Sequence, residues 1–414
     1  MRSLRILYHH RTQGRGAEGN HIVSIVTAMR AEGHQVDVLS PPGIDPFDPA
    51  STVPVDSSGI RLRGWSSIWK SVSCHLPTWL FEIAELAYNI PSYLRLRKAL
   101  GAQKYDLLFE RYASYLIAGA VAARRAGCLF ALEINDVSGV PNRVRPQHFP
   151  RLCSAVERWL LKRCDLAHAV SSYLGDKLVE SGVPAKRVVV VPNGFDIERI
   201  RIGTSRAEVR ARHGFTDEHI VIGFAGWFVP WDRLDFMMDV FAAAHRQLPQ
   251  LRLCLVGDGD AAREALARLQ GTGLQSAVVL TGGVPRGQVY DYIQTFDIGM
   301  LPHSNPFGSP IVMFEMMGLK VPVLAPRLPP IEDVHVNDET ALLFQPLDRQ
   351  ECLGQLLRLG RSADLRKGLS ERAFARLALE HTWRRTAQRI LAALPAAQSP
   401  QTSAAPPQQP ERVP

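Results

Sequence analysis

A chain of 414 residues, 46% hydrophobic and 21% charged, has the make-up of a globular protein with the length of two domains, large enough to bury its cores without disulfide or metal staples. The formal net charge of +8 suits an anionic partner such as a nucleotide or a membrane surface, and no apolar run is long enough to cross a bilayer. The six cysteines are scattered, with no pair at metal-ligand or redox spacing, which argues against a zinc module and fits a reducing cytoplasm.

Leu4–Tyr8 predicts a first β-strand, so the N-terminus reads as folded structure rather than as a secretory segment. Asn20–Glu32 carries apolar residues at helical spacing (Ile22, Ile25, Val26, Met29) and ends at Gly33, before a strand over Gln35–Leu39. Further strands are predicted at Leu107–Phe109, Leu129–Ile134, Leu166–Val170 and Val188–Val191. The rhythm restarts with strands at Ile220–Ala225, Leu251–Val256, Ala277–Thr281, Ile298–Leu301, Val321–Ala325 and Ala341–Phe344. Alternation of this kind predicts an α/β protein of two doubly wound Rossmann-like domains, residues 1–194 and 195–375, flanking a central cleft, with Pro192-Asn193-Gly194 as the hinge. A helix within 376–394 is expected to pack back on the first domain, and 395–414, rich in Ala, Pro, Gln and Ser, to be disordered.

Ligands of open α/β sheets bind at the carboxyl ends of the strands, which focuses attention on four segments. Thr12–His21 brings Gly14, Gly16 and Gly19 close to a helix start, with His21 just beyond. Glu133–Asp136 ends an apolar strand and offers Asn135 and Asp136 to a sugar hydroxyl or an acceptor. Gly223–Arg233 contains a tight loop, including Gly226, Trp227 and Arg233, shaped to hold a phosphate or a base. Asn305–Glu315 is the most informative. Gly308 permits an unusual backbone angle, Ser309 is a good N-cap, and Pro310 suits the first helical position ahead of Ile311. Glu315 then falls on an otherwise apolar helix, where a carboxylate needs a partner; a vicinal ribose diol is a suitable one, and Arg or backbone the alternative. Gly257, in Val256–Gly259, shapes the floor of the same crevice.

In this order and spacing the segments resemble glycosyltransferase family 4, the retaining glycosyltransferases of GT-B fold, over about residues 4–390. The resemblance rests on the Gly-rich first loop, Val191–Asp196, Leu255–Gly259, Asp297–Pro302, and Ser309–Glu315 followed by Val321–Ala325. Glu110–Tyr112 and Glu133–Asp136 are similar to a subgroup that builds bacterial surface polysaccharides. It implies transfer of a sugar from a nucleoside diphosphate sugar as co-substrate, with no metal and no other cofactor. Glu315 matches the second Glu of the family's Glu-x7-Glu motif, which holds the donor ribose; Gly308–Ile311 would give amides to sugar and diphosphate, and Gly14–Gly19 would line the acceptor side. His21, Asn135 and Asp136 are the candidates for the catalytic, acceptor-orienting side. Gly16, Gly226, Trp227, Arg233, Gly257, Phe307, Gly308, Ser309, Pro310, Ile311 and Glu315 are the candidates for the donor side.

The sequence also departs from the family's pattern. Phe307 stands where the motif has its first Glu, Trp227 and Asp232 where an Arg and a Lys grip the diphosphate, and Lys320 where a small residue follows. Arg15, Arg233 and Lys320 are the cations available to compensate. A catalytically weak or silent nucleotide-sugar-binding subunit, or another GT-B enzyme such as a nucleotide-sugar epimerase, is the alternative function. Within 60–100, tryptophans (Trp65, Trp69, Trp79) alternate with cations (Arg61, Arg63, Lys70, Arg95, Arg97, Lys98), the mixture that suits an anionic headgroup layer. The expectation is a cytoplasmic protein, peripheral on the inner membrane face, that meets a glycan or lipid-linked acceptor. No nucleic-acid reading motif is present.

Overall fold

The computed structural model describes residues 2–14, 16–48, 77–141, 147–269 and 271–395. Twelve strands form two parallel six-stranded sheets. The first contains β1 (Arg5–His9), β2 (Gln35–Leu39), β3 (Leu107–Arg111), β4 (Leu129–Ile134), β5 (Leu166–Ala169) and β6 (Val188–Val190) in the order β2-β1-β3-β4-β5-β6. The second contains β7 (Ile220–Ala225), β8 (Leu251–Val256), β9 (Val278–Leu280), β10 (Ile298–Met300), β11 (Val323–Pro326) and β12 (Ala341–Phe344) in the order β12-β11-β10-β7-β8-β9. Helices cover both faces, so the central strands are buried throughout: all of β3, β5 and β11 is buried, including the polar Glu110 and Arg111 of β3 and His168 of β5. Each sheet reverses its winding once, at β1/β3 and at β7/β10, and opens a crevice there. This is a two-domain α/β fold of GT-B type.

The N-terminal lobe has one core on each face of its sheet. The C-terminal lobe has a single large one that includes Leu369, Ala373 and Leu377 of the helix Ala363–Glu380. The last helix, Trp383–Ala392, crosses back: Trp383, Ala387, Ile390 and Leu391 join Ile22, Ile25, Val26 and Met29 of the first helix in one apolar cluster. Burying that face contributes several kcal/mol at about 25 cal/mol per Å². At the rim, Gln388 donates to Glu32 at 2.8 Å and Arg384 pairs with the same carboxylate.

One local expectation needs correction, and another falls partly outside the described residues. The first helix runs Gly16–Ala31, so the glycine-rich stretch is half helix rather than an open loop. Gly14, at φ +63°, turns the chain back so tightly that a Cβ on Gly19 would lie 2.2 Å from the Gly14 carbonyl oxygen. The stretch 60–76, with Trp65, Trp69 and Lys70, lies outside the described residues, as do Arg15 and most of the tail. Residues 77–102 form two helices, Thr78–Ala87 and Asn89–Ala102. No helix among the described residues is long and apolar enough to cross a membrane.

Candidate active site

The crevice of the N-terminal lobe is organised by Glu133, at the end of β4. Its fully buried carboxylate accepts from the Tyr8 hydroxyl at 2.8 Å, from Asn135 Nδ2 at 2.7 Å and from the Arg111 guanidinium. Burial alone would push the Glu133 carboxyl up, but nearby His21 and Arg111 outweigh it and hold the group at about 2. The hydrogen bond holds Asn135 at the crevice floor. Asp136 is half-buried and lies close enough to the buried Tyr112 to raise its pKa further, beyond what burial does.

His21 is drawn into the same network. Its Nε2 donates to Asn193 Oδ1 at 3.0 Å, and its Nδ1 accepts from Arg111 at 3.1 Å; the Asn193 amide fixes this tautomer by donating through Nδ2 to Ser309 O at 2.9 Å. Trp383 packs edge-on against the ring at 4.8 Å. Burial lowers the His21 pKa to about 4, so the ring is neutral with both nitrogens occupied. Neither ring nitrogen is left without a protein partner.

Asn193 therefore holds both sides of the cleft. Besides its side-chain bonds, its N–H donates to Ser309 Oγ at 3.2 Å. Ser309 was expected to cap the helix; the helix instead runs Ile311–Gly318 with Pro310 at its N-cap and no side-chain cap, because the Ser309 hydroxyl is engaged with Asn193. Gly308 does not adopt a left-handed angle. Its lack of a side chain serves close approach: a Cβ there would meet Asn305 Oδ1 at 2.8 Å, the same oxygen that accepts from the Phe307 and Gly308 N–H groups. Phe307, in turn, is buried within the core cluster of the N-terminal lobe, and its carbonyl accepts from Ser171 Oγ at 2.6 Å. Asp333 completes this clasp by accepting from Ser172 N at 2.7 Å.

Glu315 is 2% exposed, and its partner in the structure is the guanidinium of Arg286. Arg286, from the turn after β9, also reaches the Tyr290 hydroxyl at 3.4 Å and lies over that ring at 5.4 Å. Ile311 and Pro310 are half-buried at the mouth of the helix.

The loop after β7 is pinned from both sides. Gly226 N bonds Val256 O and Phe228 N bonds Asp258 O, both at 3.0 Å. Gly257, at φ +137°, admits Gly226 so closely that a Cβ would sit 1.9 Å from its oxygen. Trp227 is 61% exposed on the tip. Asp232 accepts from Val229 N at 3.0 Å, and burial raises its carboxyl to about 6. Neither described cation named as a replacement for the missing pair is placed for it. Arg233 pairs with Asp235 through two 2.8 Å bonds, and Lys320 lies 4.8 Å over the Phe374 ring. A cavity of about 590 Å³ between this loop and the helix Asp260–Ala267 includes Trp227, Asp258 and Arg263 in its lining. It contains no residue of the Phe307–Glu315 segment.

Of the candidates, the structure thus joins His21 and Asn135 through Glu133 and Arg111, ties His21 to Ser309 through Asn193, and sets Gly226 against Gly257. Glu315 and the Trp227 loop lie apart from that network. Arg286 and Ser171 are site residues that lie in none of the segments read from the sequence, while Asn193, Arg111 and Glu133 lie in such segments without having been chosen as site candidates. The signal for Arg286 was slight: a lone cation in Pro285–Gly287, between a strand and a short helix.

The sequence profile described as Glycosyltransferase Family 4 matches residues 18–199, and that of Glycosyl transferases group 1 matches residues 219–361. The chain is 26% identical to a D-inositol 3-phosphate glycosyltransferase of Streptomyces avermitilis over 59% of its own length and 55% of that protein's, so it spans about half of that relative. It is 27% identical to the enzyme of the same name from Saccharomonospora viridis, over 77% and 78% of the two chains. It is 23% identical to a phosphatidyl-myo-inositol mannosyltransferase of Propionibacterium freudenreichii, over 86% and 82%. The crystal structure of Anabaena Alr3699/HepE in complex with UDP superposes with a TM-score of 0.69 at 18% identity, covering 94% of this chain and 99% of that one.

Proposed function

The chain belongs to glycosyltransferase family 4 and is a glycosyltransferase, and we propose that its C-terminal lobe holds a nucleoside diphosphate sugar whose sugar it moves, with retention, to a glycan or lipid-linked acceptor in the N-terminal crevice. The observation that carries this is Glu315: a carboxylate 2% exposed on an apolar helix, about one turn from the loop that leads into the helix between the lobes. A ribose diol offers it two donors, and the Ser309 and Ile311 N–H groups, within the Gly308–Ile311 stretch, offer the diphosphate partial positive charge. The names of the relatives, which act on inositol phosphate or phosphatidyl-inositol, fit a polar or lipid-borne acceptor. Surface polysaccharide assembly at the inner membrane face is the setting in which such a reaction belongs.

Retention then proceeds on one face of the donor sugar. The bond from the anomeric carbon to the diphosphate oxygen breaks as the acceptor oxygen bonds to the same face, and the leaving phosphate oxygen takes the acceptor proton. No side chain need act as base, which agrees with a His21 whose nitrogens are both occupied. Asn135 and Asp136 orient the acceptor, and the work of the protein is positioning and electrostatics. Calorimetric titration with UDP, GDP, ADP and CDP, beside Glu315→Ala, tests the donor reading. One nucleotide is expected to bind and to lose at least tenfold in affinity in the variant; binding that survives the substitution unchanged refutes the assignment.

A second reading is a weak or silent nucleotide-binding subunit. It is favoured by Arg233 and Lys320 being engaged with Asp235 and Phe374, and by Phe307 filling the partner lobe where the motif has a carboxylate. Nucleotide binding without release of free sugar or transfer to any acceptor separates it from the first.

A further inference from the structure

Six of the twelve large hydrophobic side chains left exposed among the described residues sit on one part of the N-terminal lobe: Trp79, Ile83, Ile90, Leu94, Phe149 and Leu152. Trp79 and Ile83 are one helical turn apart on the helix Thr78–Ala87, and Ile90 and Leu94 likewise on the helix Asn89–Ala102, which follows after Tyr88 alone. Phe149 caps the helix Pro150–Leu161, and Leu152 lies in its first turn. The two groups are stitched together by Glu82, whose buried carboxylate accepts from the backbone N–H of Phe149 at 3.1 Å and from that of His148.

The charge on this face is one-sided. Residues 77–102 contain two acids: Glu82 is consumed as described, and Glu85 is paired with Arg11 at 2.5 Å. Residues 147–163 contain one, Glu157, buried and bonded to Ser138 N at 2.7 Å and to the Tyr112 hydroxyl. What remains outward is cationic: Arg97 and Lys98 continue the Ile90–Leu94 stripe by one turn, Arg151 lies exposed next to Leu152, and Arg158 is exposed further along the same helix. The Arg11–Glu85 pair also places this face, since Arg11 follows β1 at the carboxyl edge of the sheet, where the crevice opens.

We propose that this face docks on an anionic lipid bilayer, with Trp79, Ile83, Ile90 and Leu94 entering the headgroup layer while Arg97, Lys98 and Arg151 pair with lipid phosphates. Apolar and aromatic side chains ringed by cations, with every acid of the same helices buried or paired, match that surface in polarity and in sign. A second copy of the chain is a poor occupant, because a symmetric contact sets the same cations against one another. The inference rests on the transferase reading only for its purpose, that of narrowing the acceptor to one carried in a membrane; the docking itself is read without turnover.

Co-sedimentation of the full chain with vesicles of phosphatidylglycerol and phosphatidylcholine in equal parts, against phosphatidylcholine alone, tests it. Binding is expected to the anionic vesicles and to weaken with salt. The pairs Ile83→Glu/Ile90→Glu and Arg97→Glu/Lys98→Glu are each expected to weaken it by about tenfold or more, since one cation near such a surface is worth roughly fivefold. Arg246→Glu/Arg361→Glu, on the other lobe, removes the same charge and is expected to leave binding within about twofold. All these side chains are exposed, so melting temperature and nucleotide affinity should hold, which keeps this test separate from that of the donor site. The proposal is overturned by absence of binding to anionic vesicles, by equal loss in the control pair, or by a wild-type dimer that the Ile83→Glu/Ile90→Glu pair dissociates without any effect on vesicles.

Discussion

The carbonyl of Phe307 accepts a 2.6 Å hydrogen bond from Ser171, and its ring is a core residue of the lobe to which Ser171 belongs. A side chain of one lobe is thus buried by the other. Truncating a buried phenylalanine costs about 3–5 kcal/mol, and here the cost falls on lobe association rather than on either sheet. Phe307→Ala is expected to widen the protein in small-angle scattering and to expose 192–200 to proteolysis. Phe307→Glu, which restores the residue type of the family motif, should do so more strongly, since it buries a carboxylate among apolar groups.

Glu315 and Arg286 form a pair in which the acid is buried and the base half-exposed. Removing one member of a buried pair costs about 3–5 kcal/mol, less here because the Arg286 head reaches water. Glu315→Ala should therefore lower the melting temperature and abolish stabilisation by nucleotide. Arg286→Ala should also melt earlier yet keep stabilisation by nucleotide, because the ribose supplies the donors that Arg286 withdrew. Thermal shifts with and without nucleotide check both.

The protein should be acid-labile beginning below about pH 6.5. Burial holds His10, His21 and His381 at about 4 and His335 at about 3, against 6.5 for the unfolded chain. Between those values the unfolded state binds protons that the folded state refuses, so stability falls as pH falls through that window, by at most a few kcal/mol per group. Glu133, held at about 2, adds a second loss below about 4.5. Denaturant midpoints measured from pH 8 to 4 should show the first decline, and His335→Leu should flatten it.

Gly194 approaches the last helix so closely that a Cβ would lie 2.6 Å from the Trp383 backbone nitrogen. Gly194→Ala should loosen that helix from Ile22, Ile25 and Met29. Faster amide exchange in 16–31 and 383–392, with that in β7 and β8 unchanged, is the expected signature.

Trp227 stands where the resemblance places an arginine, and its exposed side chain leaves room for one. If the missing cation limits turnover, Trp227→Arg should raise the rate of transfer or donor hydrolysis by about tenfold or more. Asp232→Lys should not, because Asp232 closes the turn at Val229 and its loss unpins the loop. Steady-state rates of both variants decide it.

The periods and punctuation of the chain were enough for its architecture. Apolar runs such as Ile220–Ala225 and Leu129–Ile134 coincide with β7 and β4, because a strand covered on both faces is mostly apolar, the buried Glu133 of β4 being the exception that its partners satisfy. Helix starts were less legible: the first helix begins at Gly16 rather than Asn20, since the contact of Gly14 with Gly19 is a close approach that composition does not encode. The Gly257 turn was readable as a crevice floor because its consequence is local.

The sequence by itself determined the two sheets, the family, and the acid on the apolar helix, all set by short-range pattern and motif order. Only the tertiary structure decided what several of the polar residues do, because their partners lie far away in the chain. Asn193 is 172 residues from His21 and 116 from Ser309, yet bonds both, and so a hinge motif became the clasp of the cleft. Glu315 met Arg286 instead of standing alone, and burial lowers the pKa of His21 and favours its neutral form. A buried polar group must find a partner wherever the fold brings one, and that search is three-dimensional.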